Sequence, residues 1–130
     1  MILNLFRDRK TNYMNVLSFA YQGTWSDYVN FSVRVQSGDF SGKTKFSMSE
    51  TMLKQTLVEL REIHRLLEGS CILRDYDSDD YIQIEMQRHG QMSIAGQLGG
   101  SHNDQFVQFK MLADQTYLES LLSALTSMVQ

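Results

Sequence analysis

Proline is absent from this chain, cysteine and tryptophan occur once each, and basic residues do not outnumber acidic ones. Each absence closes off a class of protein. Without proline, and with eight glycines placed mostly between periodic segments, the chain offers no linker, low-complexity tract or internal repeat. The lone Cys71 cannot form an internal disulfide, so a reducing compartment is the simplest setting. No apolar run approaches the ~20 residues of a membrane span, and residues 2–6 are too short for a signal-peptide core. A cytoplasmic protein is expected. The formal charge of −3 lacks the basic footprint of a general nucleic-acid binder, while a basic protein partner stays open.

What is present is ordinary globular material. A chain of 130 residues fits one α+β domain and buries roughly two thirds of its unfolded surface. Apolar residues make up 42% and charged residues 21%, which excludes disorder and coiled coil. The eight methionines suit irregular gaps in a core. Residues 2–6 and 13–22 are strand candidates, the latter through Val16, Leu17, Phe19 and Tyr21. In 28–36, Phe31, Val33 and Val35 alternate with Ser32, Arg34 and Gln36, the period of a half-buried strand. Turn residues over 37–42 and a second alternation over 43–48 complete a hairpin.

From Ser49 the period changes to 3.6, with Leu53, Leu57, Leu60, Ile63 and Leu67 on one stripe. The spacing predicts a helix of about five turns. Ser47 and Ser49 are both N-cap candidates, Ser47 with Glu50 has the form of a capping box, and Gly69 stands where a C′ glycine ends a helix. Strands over 70–75, 81–87, 91–98 and 105–112 then form a meander with short polar joins. Thr116 with Glu119 repeats the capping-box pattern before a last helix carrying Leu118, Leu121, Leu122 and Leu125. The expected architecture is a mostly antiparallel sheet of five to seven strands with two helices on one face.

Candidate sites are few. Asp75-Tyr76-Asp77-Ser78-Asp79-Asp80 puts four carboxylates into six residues and matches a calcium loop at Asp75, Asp77 and Asp79. The match ends at Asp80 and Met86, where such a loop needs Gly and a bidentate Glu. That leaves a solvated hairpin tip, or an acidic edge that speeds and orients docking of a basic partner. His64, His89 and His102 have no spacing that places two on one metal, and His64 borders an apolar stripe as a partly buried, hydrogen-bonded histidine does. Cys71, before Ile72 and Leu73, suits a buried inert thiol. Ser101-His102-Asn103-Asp104 holds the residue types of a hydrolase triad, but contiguous side chains diverge. The glycines at 96, 99 and 100 resemble a phosphate cradle, yet lead into a strand rather than a helix; Gly96 suggests a bulge or close backbone approach and Gly99-Gly100 positive φ. Trp25, in a polar connection, is either an interface anchor or a lid on the core.

The order of the blocks SGDFSGKTKFSMSE, LVELREIHRLLEG, YIQIEMQRHGQMSIAGQLGG and FKMLADQTYLESLLSAL resembles that of WapI-like bacterial immunity proteins. The likeness spans about residues 28–129. It implies a non-enzymatic protein, without catalytic residues or cofactor, that binds and neutralises the toxic domain of a polymorphic toxin, commonly a nuclease. No family motif transfers a binding residue, so the candidate contact set rests on residue chemistry alone: Asp75, Tyr76, Asp77, Asp79, Asp80, Tyr81 and Trp25. The alternative function is a small acidic dimeric chaperone for a secreted effector; a homodimer is compatible with either reading, and neither needs a nucleic acid, a membrane or a metal.

Overall fold

A computed structural model describes residues 5–7, 14–87, 90–100 and 105–129. Its elements run β1 (Leu5–Arg7), β2 (Met14–Trp25), β3 (Tyr28–Ser37), β4 (Phe40–Ser49), α1 (Glu50–Leu66), β5 (Gly69–Arg74), β6 (Tyr81–Met86), β7 (Gln91–Leu98), β8 (Val107–Asp114) and α2 (Gln115–Ser127). The antiparallel α+β arrangement expected from the alternations is the one observed. The strands divide, however, into two four-stranded sheets, β1-β2-β3-β4 and β5-β6-β7-β8, instead of the single sheet of five to seven strands. The physical reason is α1, which stands between two uninterrupted meanders and leaves β4 and β5 as edges. Residues 2–4 of the first strand candidate lie outside the described residues.

Period-two patterning builds both inner faces. In the first sheet Leu17 pairs with Val35, Phe19 with Val33, and Phe31 with Phe46; Phe31 stands 5.8 Å from Phe19 and 5.7 Å from Phe46, ring centre to ring centre. In the second, Cys71, Ile84, Ile94 and Met111 form one cross-strand row, and Leu73, Ile82, Gly96 and Phe109 the next. Gly96 is a close approach and not a bulge, because the register through it is unbroken. A Cβ there would strike the carbonyl oxygen of Tyr81 and come within 2.9 Å of the Phe109 ring. Leu53, Leu57, Leu60 and Ile63 of α1 and Leu118, Leu121 and Leu125 of α2 join these rows in one hydrophobic cluster. The Tyr117 hydroxyl ties α2 to β2 by donating to the Leu17 carbonyl, 3.2 Å away and buried.

One terminus assignment resolves between its two candidates and two others shift. Ser49, not Ser47, caps α1, its hydroxyl accepting from the Met52 N–H at 3.1 Å. Asp114, not Thr116, caps α2, accepting from the Thr116 N–H at 3.0 Å. Leu67 and not Gly69 takes the left-handed position after α1, with φ of 57°. Each shift has the same cause. Ser49 is still paired with Tyr28, Asp114 with Gln91, and Gly69 already with Met86, so the ladders fix where the helices start and stop, and local capping chemistry adapts.

The sheets meet along β4. Val107 lies so near Gly42 that a Cβ there would come within 2.6 Å of the valine methyl. Further along, Ser47 turns its peptide group outward from the ladder toward the β5–β6 loop. That meeting point positions the candidate site.

Candidate functional site

The first wall of the site is the β2–β3 turn. A register shift between Tyr21 and Gly23 bulges β2, and the turn closes through Ser26 and Asp27, both at positive φ, 50° and 66°. Two consecutive positive φ values match the twist of a hairpin, but non-glycine residues hold them at a cost on the order of 1 kcal/mol each. The N–H of Glu50 at the start of α1 donates to the Asp27 carbonyl at 2.7 Å and fixes the turn from below. Thus held, Trp25 is 60% exposed. Its ring lies across Gly23, where a Cβ would come within 3.0 Å of the indole. Trp25 is therefore an outward aromatic, and the alternative of a lid on the core is overturned.

The second wall is the acidic run, which the structure splits. Asp75 and Asp80 are buried, while Tyr76, Asp77, Ser78 and Asp79 are exposed. Asp75 accepts from the Ser47 N–H at 2.8 Å and from the Ser78 hydroxyl at 2.7 Å. The Tyr76 N–H donates to the Ser47 carbonyl at 2.8 Å, so both outward peptide groups of Ser47 on this strand edge are satisfied. Asp80 accepts from the N–H groups of Gly99 at 2.9 Å and Gly100 at 2.6 Å, with the Gln97 amide at 3.4 Å. The two glycines have φ of 105° and 79°, and successive N–H groups in such a turn form an anion nest. The glycine segment does cradle an anion, and that anion is the chain's own carboxylate. Half of the presumed solvated tip is thus internal structure.

The two walls border a hollow of about 360 Å³ lined by Gln22, Trp25, Asn30, Lys45, Asp75 and Asp77, with Phe46 and Ser47 of β4. Tyr28, two residues before Asn30, and Tyr76, between Asp75 and Asp77, pack at 4.9 Å between ring centres, inclined at 55°. The Tyr28 hydroxyl is held above the ordinary tyrosine range, first by its hydrogen bond with Tyr76, then by loss of solvent and the charges of Tyr76 and Asp77. Tyr81 opens β6 opposite Gln97 and does not line the hollow. The arrangement sets aromatic faces beside carboxylates. It suits attraction of a cation or docking of a protein surface. Tyr28, Asn30 and Lys45 were missed as site residues, although the alternation of β3 and β4 already puts all three on the solvent face.

The other candidates separate from this site. His64 contacts the Glu119 carboxylate of α2 at 3.3 Å, a helix-to-helix contact. Burial, with Glu59 adding to it, pushes the Cys71 thiol up to about 12, so its thiolate is scarce at neutral pH. His89, His102 and the segment 101–104 lie outside the described residues. Among the described residues no three His, Cys, Asp or Glu side chains converge as metal ligands, and no helix is long and apolar enough to cross a membrane.

No curated protein and no solved structure matches this chain. A family model, that of the immunity protein WapI-like family, matches residues 6–130, nearly the whole chain, and begins ahead of the likeness over residues 28–129. The chain belongs to the WapI-like immunity protein family.

Proposed function

We propose that this protein is a non-enzymatic immunity protein of the bacterial cytoplasm that neutralises a cognate toxin domain by one-to-one binding. The contact surface is centred on Trp25, Tyr28, Tyr76 and Asp77, with Asp79 and Tyr81 at its margin; Asp75 and Asp80, named earlier as contacts, act from inside by shaping the loop. The observation that carries this reading is Trp25. A large aromatic that is 60% exposed on a strained turn fixed to a helix start, beside an acidic loop in a chain of an immunity family, has the form of an interface anchor. Aromatic anchors in rigid settings dominate binding energy, and neighbouring acidic groups steer a basic partner.

The test is direct. The cognate toxin domain is mixed with this protein, and its activity is measured as the molar ratio rises. Inhibition complete at one to one is expected, with Trp25→Ala weakening the complex by about 2 kcal/mol or more. Toxin activity that is untouched at equimolar protein overturns the proposal. Full inhibition at far below one equivalent points instead to an enzymatic antidote, and overturns it equally.

A further inference from the structure

We infer that the hollow between the β2–β3 turn and the acidic loop is a receptor for an arginine side chain of the protein partner, its guanidinium lying against Trp25 with the Asp77 carboxylate at its edge. This rests on the proposed function for the existence of a protein partner, and goes further in naming the group that partner presents. The walls supply what a planar cation needs. Trp25 offers an exposed indole, the aromatic with the strongest attraction for a cation above its ring. Asp77 brings an exposed carboxylate to the same hollow and Asp75 a buried one behind it. Asn30 uses its amide nitrogen on the carbonyls of Tyr28 at 3.1 Å and Gly23 at 3.5 Å, so its amide oxygen is what it has to offer a ligand.

The geometry also discriminates. A guanidinium is flat, weakly hydrated and donates from a fork, so it stacks on an indole and meets a carboxylate at the same time. An ammonium is a strongly hydrated point charge and uses the ring less well. A nucleotide base would stack on Trp25 too, but its phosphate would be brought against Asp77 and Asp75, and the repulsion disfavours it. Lys45 lines the same hollow and forms no ion pair with Asp75 or Asp77, so its charge opposes an incoming cation. Both walls are set in advance, the turn by the Glu50 N–H and the loop by Ser47, which spares the ordering cost of binding.

Trp25 is the only tryptophan of the chain, so intrinsic fluorescence reads this hollow directly. The full-length protein is titrated with a blocked glycine-arginine peptide carrying two arginines, with its lysine twin, and with a thymidine oligonucleotide. The arginine peptide is expected to change the emission saturably and to bind about threefold or more tighter than the lysine twin. Asp77→Asn weakens it several-fold, Lys45→Gln strengthens it, and unfolding midpoints of both variants stay near that of the parent. Equal affinity for the two peptides, a response unchanged in the Asp77 variant, or a stronger response to the oligonucleotide overturns the inference. The two readings fail separately. Toxin neutralisation without arginine preference sinks this inference alone, while arginine preference without neutralisation sinks the proposed function alone.

Discussion

Two halves of one six-residue loop carry the same residue type to opposite ends. Asp75 and Asp80 are folded inward, where their oxygens accept from N–H groups of β4 and of the Gly99-Gly100 turn. Asp77, two residues after Asp75, and Asp79, one before Asp80, are exposed. The difference is geometric. Asp75 and Asp80 are joined across the base of the loop by the Asp75 N–H donating to the Asp80 carbonyl at 3.0 Å, and at the base the Asp75 side chain meets β4 of the other sheet while that of Asp80 meets the turn after β7 of its own. A dense acidic run is therefore not one feature with one role; its inner carboxylates hold the shape in which its outer ones are presented.

Removing Asp80 should have the largest effect. Asp80→Ala leaves the Gly100 N–H buried and the Gly99 N–H half-buried without their acceptor, an expected loss of about 3 kcal/mol, since unmet buried donors and lost charge-assisted bonds cost on the order of 1–3 kcal/mol each. Urea denaturation followed by circular dichroism measures it. Gly100→Ala approaches the same nest from the other side and should also destabilise, because φ of 79° costs a residue with a Cβ about 1–2 kcal/mol. A loss under about 1 kcal/mol for Asp80→Ala would mean that the inner half is not built as the distances indicate.

How much of this was legible beforehand follows from distance along the chain. The alternation in β3 and β7 and the 3.6 period in α1 are local signals, and the corresponding elements stand within a few residues of the expected bounds. Ser49 and Asp114 were harder to place. The residue that caps is the one where a ladder ends, and a ladder depends on a partner strand. The split into two sheets is less local still, since nothing in the order of strands states whether a helix between β4 and β5 joins or divides them. Least legible was the acidic run. The Ser47–Asp75 bond spans 28 positions and the Asp80–Gly100 bond 20, and no periodicity reports such a pairing. The glycine pair and the aspartates stand out separately along the chain, and only the fold reveals that Asp80 and the pair satisfy one another.

Asp75 should rank second. Asp75→Ala removes the acceptor of the Ser47 N–H and of the Ser78 hydroxyl, both part-buried, for an expected loss of about 2 kcal/mol. Global stability alone does not separate this from any other lost hydrogen bond. Amide hydrogen exchange does, because the Tyr76 N–H donates to the same residue of β4. With Asp75 gone, exchange should accelerate at both Ser47 and Tyr76 while the β6–β7 ladder keeps its protection. Uniform acceleration across both sheets would show that Asp75 holds the whole fold and not the seam between loop and β4, and the two halves of the loop would then not be separable.

The outer half gives the smallest effect on stability and the sharpest test of the contrast. Asp77→Asn should change folding free energy by less than about 0.5 kcal/mol, as exposed substitutions away from special features do. Its signature belongs to kinetics. If Asp77 faces a basic partner, neutralising it slows association with the cognate toxin domain about two- to threefold at low salt and flattens the dependence of that rate on ionic strength, while dissociation changes less. Stopped-flow mixing at several salt concentrations measures both. Asp80→Asn is the necessary control, since it removes the same formal charge from the same loop. Were only net charge at work, both variants would slow association alike with little change in stability. The division of the loop requires the opposite pattern, in which Asp80→Asn lowers stability first and alters binding only as the loop loses its shape, whereas Asp77→Asn alters the rate in a fold that stays intact.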